Sequence, residues 1–229
     1  MTTPKKTYTF ILLLAISLLS TLPANAQKKM VKTEPAKADS SAFISNVAIS
    51  VDLAGAVQRW VSSSGLYEAA LRVNIKGRYF PIIELGIGQA DKEDDVTHVR
   101  YKTSAPYGRL GIDFNLLKNK HDDYRFYVGA RYGFTSFKYN IEPLTITDPS
   151  WGGETTYEAT DVKCYYHWME AVAGIDVKIA RPVRLGWSIR YRRRLTHDHN
   201  PVGTPWYVPG FGKGESSHIA ATFNLIFEL

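Results

Sequence analysis

Eight segments alternate apolar and polar residues with a period of two, short and long connections follow one another in turn, and glycine crowds onto the polar face. Together these predict an all-β protein, an eight-stranded antiparallel up-and-down barrel. The chain has 229 residues, 45% of them hydrophobic, enough for one ordinary domain.

The first segment sets Val47, Ile49, Val51 and Leu53 against Ala48, Ser50 and Asp52. The second sets Tyr67, Ala69, Leu71, Val73 and Ile75 against Glu68, Arg72, Asn74 and Lys76. Pro81, Ile83, Leu85 and Ile87 follow, opposed by Glu84, Gly86 and Gly88. The fourth has Leu110, Ile112 and Phe114 against Arg109, Gly111 and Asp113. The fifth runs Phe126, Val128, Ala130, Tyr132 and Phe134, with Arg125, Gly129, Arg131 and Gly133 between. The sixth alternates Met169, Ala171, Ala173, Ile175 and Val177 with Glu170, Gly174, Asp176 and Lys178. The seventh alternates Val183, Leu185, Trp187, Ile189 and Tyr191 with Arg184, Gly186, Ser188, Arg190 and Arg192. The last carries Ile219, Ala221, Phe223, Leu225, Phe227 and Leu229. No sustained helical period is expected after residue 26. Gly77-Arg78, Leu117 to Asp123 and Ala180 to Pro182 are short connections. Val57 to Gly65, Gln89 to Ser104, Asn140 to Asp161 and Thr196 to Glu215 are long.

Before these segments lies a different texture. Lys5 and Lys6 precede an apolar run from Tyr8 to Leu22, and Ala24-Asn25-Ala26 closes it. A charged start, a short apolar core and an Ala-x-Ala end read as a cleaved secretory signal peptide over residues 1–26. The run is shorter than the ~20 apolar residues of a spanning helix. Residues 27–42 are rich in lysine and poor in apolar groups, and read as a disordered periplasmic tail. Residues 43–229 are the barrel. Export argues against cytosolic metabolism. The net charge of +6 is too small and dispersed to argue for nucleic acid. Cys164 is the only cysteine, so neither an intrachain disulfide nor a cysteine zinc cluster can form.

Alternation alone does not say which face is outside. The apolar faces carry no Asp, Glu, Lys or Arg. Gly86, Gly88, Gly111, Gly129, Gly133, Gly174 and Gly186 share the polar face, where they relieve crowding in a lumen barely wide enough for side chains. Tyr67, Tyr79, Phe114, Tyr124, Phe126, Tyr165, Tyr191, Phe223 and Phe227 lie near segment ends, where aromatic rings suit a membrane–water interface. The apolar face is therefore expected outside, in lipid, and the barrel to be transmembrane. A soluble lipocalin-like carrier in the periplasm is the inverted alternative.

With its signal, eight alternating strands, long loops at one end and the terminal Phe223-x-Leu225-x-Phe227-x-Leu229 strand, the chain resembles small outer-membrane barrels of the OmpX/OmpA type. It is similar overall to an uncharacterised family of small secreted barrels from Gram-negative anaerobes. The resemblance is architectural and covers roughly residues 43–229. It implies the bacterial outer membrane as location, with the barrel assembly machinery and outer-membrane lipid or lipopolysaccharide as partners. The final residue is Leu229 where that class usually ends in an aromatic.

The polar face predicts a lumen charge network: Asp52, Glu68, Arg72, Glu84, Arg109, Asp113, Arg131, Glu170, Asp176, Arg184, Arg190 and Arg192. Charges desolvated in a narrow barrel must pair. A small-solute pore is the sharper version. Trp206, Tyr207 and Phe211 sit in a Gly/Pro-rich loop and, with Arg193 and Arg194, are candidates for binding an outside ligand. Arg192-Arg193-Arg194 suits lipid phosphates at the outer rim. His197-Asp198-His199 offers too few ligands for a metal site, and Asp91 to Asp95 lacks the spacing of a calcium loop. His167 would serve a lipid-modifying enzyme, but no serine nucleophile accompanies it. No cofactor, metal or catalytic residue is expected. The function expected is non-enzymatic: a structural or surface-binding barrel with four long extracellular loops and a charge-plugged lumen.

Overall fold

The computed structural model describes residues 44–95, 98–117, 123–147, 152–198 and 202–229. The expected signal peptide and tail lie outside these. Eight long strands close into one antiparallel barrel: β1 (Ile44–Asp52), β2 (Ser64–Ile75), β3 (Tyr79–Glu93), β4 (Arg100–Asn115), β5 (Tyr124–Thr147), β6 (Glu154–Ala180), β7 (Val183–His197) and, after a short hairpin, β10 (Ser217–Glu228). Each strand pairs with its neighbour in sequence, and β10 returns to pair with β1. The hairpin is β8 (Tyr207–Val208) with β9 (Gly212–Lys213).

Phase decides what each strand buries. From Tyr124 to Phe134 on β5 the even residues face out and are exposed, whereas Arg125, Tyr127 and Arg131 are buried. The same belt continues through Leu85 (62% exposed), Leu110, Ile189 (64%) and Ile219 (68%). Period two and strong β-formers give strands, and the outward set makes one apolar ring. At ~3.3 Å per residue and ~40° tilt, Tyr124 to Phe134 climbs about 25 Å.

Above the belt the polarity inverts. On β4, Tyr101, Ala105 and Tyr107 point inward and are buried, while Lys102 and Ser104 are exposed. On β5, Phe137 and Tyr139 are buried and Lys138 and Asn140 exposed. These tops fold as an ordinary soluble sheet with an apolar inside. Two of the expected long loops are accordingly short. The hairpins β3–β4 and β5–β6 extend as strand through most of Gln89 to Ser104 and Asn140 to Asp161.

The first long connection holds a helix that the sequence reading excluded: α1 (Leu53–Val61). Nine residues give only about two and a half turns, too few to display a helical period against a preceding strand pattern. Asp52 starts it. Its carboxylate accepts from Ala54 N at 3.1 Å and Gly55 N at 3.2 Å, and its Oδ1 also takes Phe223 N of β10 at 3.2 Å. β1 pairs with β10 only over Ala48 to Asp52. Beyond Asp52 the helix replaces the strand between β2 and β10. A side chain at Gly55 would strike Leu66, and one at Gly65 would strike the backbone of Arg59, so these two glycines let the helix lie close on β2. Val57, Trp60 (83% exposed) and Val61 face outward.

Candidate functional site

All twelve residues of the expected network face the lumen and are buried. Glu84 is the hub. Its Oε1 accepts from Arg131 Nε at 3.1 Å and Arg190 Nη2 at 3.2 Å. Its Oε2 accepts from Arg190 Nη1 at 2.7 Å and Arg109 Nη1 at 3.1 Å. Arg109 also pairs with Glu68, and its Nε lies 2.8 Å from Glu170. Arg192 reaches Glu170 at 3.2 Å. Below, Arg72 bridges Asp176 (2.7 Å) and Asp113 (3.2 Å), and Arg131 pairs with Asp113 at 2.7 Å. At the lower mouth Glu228 holds Arg125 at 2.6 Å and Arg184 at 2.8 Å. Arg125 has the polar phase of its strand and Glu228 alternates with the apolar residues of the last, but nothing in their spacing shows that they close this end.

Asp52, Glu68, Glu84, Asp113, Glu170, Asp176 and Glu228 face Arg72, Arg109, Arg125, Arg131, Arg184, Arg190 and Arg192. The count is even, which is what a poorly hydrated interior requires. A cavity of about 10 Å³ among Ser50, Asp52, Glu84 and Arg190 remains, room for about one water.

Glycines let large neighbours share the lumen. Gly86 lies opposite Tyr107, Gly133 opposite Trp168 and Gly174 opposite Tyr127, each on the adjacent strand. In each case the aromatic ring occupies the space where a Cβ would be. Arg72 packs over Tyr127, and Arg109 over Tyr107, at 5.0 and 4.7 Å.

The hairpin β8–β9 descends onto this layer from above. Arg109 Nη2 donates to Gly210 O at 2.6 Å and Arg192 Nη1 to Phe211 O at 2.9 Å. Tyr101 donates its hydroxyl to Tyr207 O at 2.7 Å. Phe211 packs between Tyr166 and Trp168. Burial pushes the Tyr207 hydroxyl up to about 12, so it stays a neutral donor, aimed at Gly65 O.

The outside-ligand candidates are thus divided. Tyr207 and Phe211 are buried in the barrel mouth, whereas Trp206 is 37% exposed. Arg193 faces outward and Arg194 is half-buried, while Arg192 points inward, because alternation sends neighbours to opposite faces. The rim triplet therefore does not act as one phosphate fork. His167 faces outward beside Tyr165, its Nδ1 2.8 Å from the Tyr132 hydroxyl. His199 lies outside the described residues. Among the described residues, no group of three His, Cys, Asp or Glu is placed to hold a metal ion.

The family described as Domain of unknown function (DUF6048) matches residues 7–228. No curated protein matches the chain. Among solved structures the chain is similar to the N-terminal β-barrel domain of Pseudomonas aeruginosa OprF, with 13% identity, a TM-score of 0.39 and coverage of 80% of this chain and 97% of that one. It is similar to Neisserial surface protein A, at 9% identity and TM-score 0.42, covering 80% and 94%. Acinetobacter baumannii CarO2 gives 10% identity and TM-score 0.38, covering 81% and 98%.

Proposed function

The chain belongs to the DUF6048 family, and from that premise we propose that it is a sealed, non-enzymatic outer-membrane barrel that presents its upper hairpins outside the cell. One observation carries the reading: the belt-level wall is apolar outside and the lumen inside it is filled by paired charges. Lipid is the solvent that accepts such an outside, and a closed ring of strands leaves no open edge to it. The inverted polarity above the belt fits wall that has left the bilayer and entered water.

A lipocalin-like carrier would need an apolar lumen at this level. A pore would need a continuous path past the central charges, where the cavity beside Glu84 and Arg190 has room for about one water. On this reading residues 1–26 direct export and are removed, residues 27–42 trail in the periplasm, and the barrel assembly machinery inserts the chain. The upper hairpins meet an outside ligand or lipopolysaccharide.

The test is fractionation followed by gels with and without heating, and planar-bilayer recordings on the same protein. Outer-membrane recovery, a mobility shift on heating and baseline conductance are expected. A detergent-free soluble protein, or steady single-channel steps, would overturn the proposal.

A further inference from the structure

A depression of about 440 Å³ lies just above the belt, and no part of the lumen network takes part in it. Its floor is Gln89 of β3, whose Nε2 donates to Ser104 Oγ of β4 at 3.1 Å. Arg59 of α1, Lys102 and Lys138 surround this floor. Arg59 Nε donates to Gln89 Oε1 at 2.8 Å, which fixes the guanidinium over the floor. Its two terminal nitrogens have no acceptor among the described residues. Two acids, Asp91 and Asp161, also line the site. Each has a cation of its own: Arg100 clasps Asp91 at 2.7 and 3.0 Å, and Lys138 lies 3.5 Å from Asp161. Lys102 leans to Glu142 at 3.0 Å and lies 3.7 Å from Asp91. Among the described residues, Arg59 is thus the cation of this recess held in place without a carboxylate.

Directly below, the outward face of β4 is low. Pro106 and Gly108 stand between Ile87 and Leu85 on one side and Phe134 on the other. Phe134 and Leu85 close over Gly108. Trp60, the neighbour of Arg59, stands exposed. A polar recess bearing cations, above an apolar strip and beside an exposed indole, matches a lipid with its phosphate at the interface and its chain against the wall.

Resting on the membrane reading above, the geometry points to a binding site for the phosphate headgroup of an outer-leaflet lipid, held by Arg59, Lys102 and Lys138 with an acyl chain along β4. The site depends on α1, and it is separate from the Arg193–Arg194 rim.

The experiment refolds the full chain in neutral detergent and titrates phosphatidic acid or phosphatidylcholine of identical chains, reading bound lipid by native mass spectrometry. Phosphatidic acid is expected to bind at least about tenfold more tightly, the worth of one good charge-assisted contact. The double variant R59Q/K138Q brings the two lipids to near parity, and R78Q at the opposite end leaves the preference intact. Millimolar inorganic phosphate does not displace the lipid. Equal binding by the native chain, or a preference that survives R59Q/K138Q, overturns the site. Displacement by inorganic phosphate overturns the lipid assignment in favour of a free-phosphate site. Unheated and heated gels of the same sample show separately whether the barrel has formed, so loss of the heat shift marks failure of the membrane reading instead.

Discussion

Glu84→Gln removes one charge from the centre of the lumen and almost no volume. Four guanidinium bonds from Arg109, Arg131 and Arg190 converge on this carboxylate, which is 1% exposed. A glutamine keeps one oxygen as acceptor but turns an amide N–H₂ toward a guanidinium. One positive charge is left without its partner in a site with room for about one water. Breaking a buried charge network at one member costs ~3–5 kcal/mol. Urea unfolding in detergent micelles, followed by tryptophan fluorescence, reads this directly. The double variant Glu84→Gln/Arg190→Gln restores charge balance and is expected to recover at least ~1 kcal/mol relative to additivity. A cost below ~0.5 kcal/mol for Glu84→Gln would refute the reasoning, since it is what a surface substitution costs. Water would then reach the arginines, and the lumen would be hydrated.

Gly133→Ala places a methyl group where the Trp168 indole lies, and should lower stability by ~1–3 kcal/mol in the same assay. Asp52→Ala removes the cap of α1 and the acceptor of Phe223 N, costing ~1–2 kcal/mol, with faster amide exchange at Ala54, Gly55 and Phe223 as the specific sign. Replacing residues 207–213 by a short glycine linker should leave bilayer conductance at baseline, because the arginine–carboxylate layer lies beneath the hairpin. Steady channels after this deletion alone would show that the hairpin is the only seal.

The barrel was legible in the sequence because its physics is written with period two. Once Leu110 and Phe126 face out, Arg109 and Arg125 must face in, and the charges declare the lumen. What was not legible depends on contacts distant in sequence. Tyr101, Phe137 and Tyr139 follow the inward phase of their strands, but Tyr101 falls in a stretch whose polar residues read as loop, and Phe137 and Tyr139 lie beyond the alternating segment that ends at Phe134. The inversion of polarity has no local signature. Phe211 and Tyr207 were recognisable as unusual loop residues, yet only Arg109, Arg192 and Tyr101 of the folded barrel decide that their loop turns inward. The helix was missed because Val57, Trp60 and Val61 span barely one turn, and its support comes from Gly65 and Phe223 on other strands. The Arg59 recess went unseen with it.

That helix also bears on how the molecule closes. Asp52 and Phe223 are 171 residues apart, and the bond between them lies on the join that closes the ring. The final join rests on five residue pairs, Ala48 to Asp52 with Asn224 to Glu228, where the β5–β6 join runs nearly the full length of both strands. A slip by two residues on so short a join would keep every side chain on its proper face. Asp52 forbids it, because one carboxylate must serve the start of a helix and the amide of Phe223 together. The register of the closing join is therefore set by a single clasp, and a chain that lacks it should close with that join less firmly fixed.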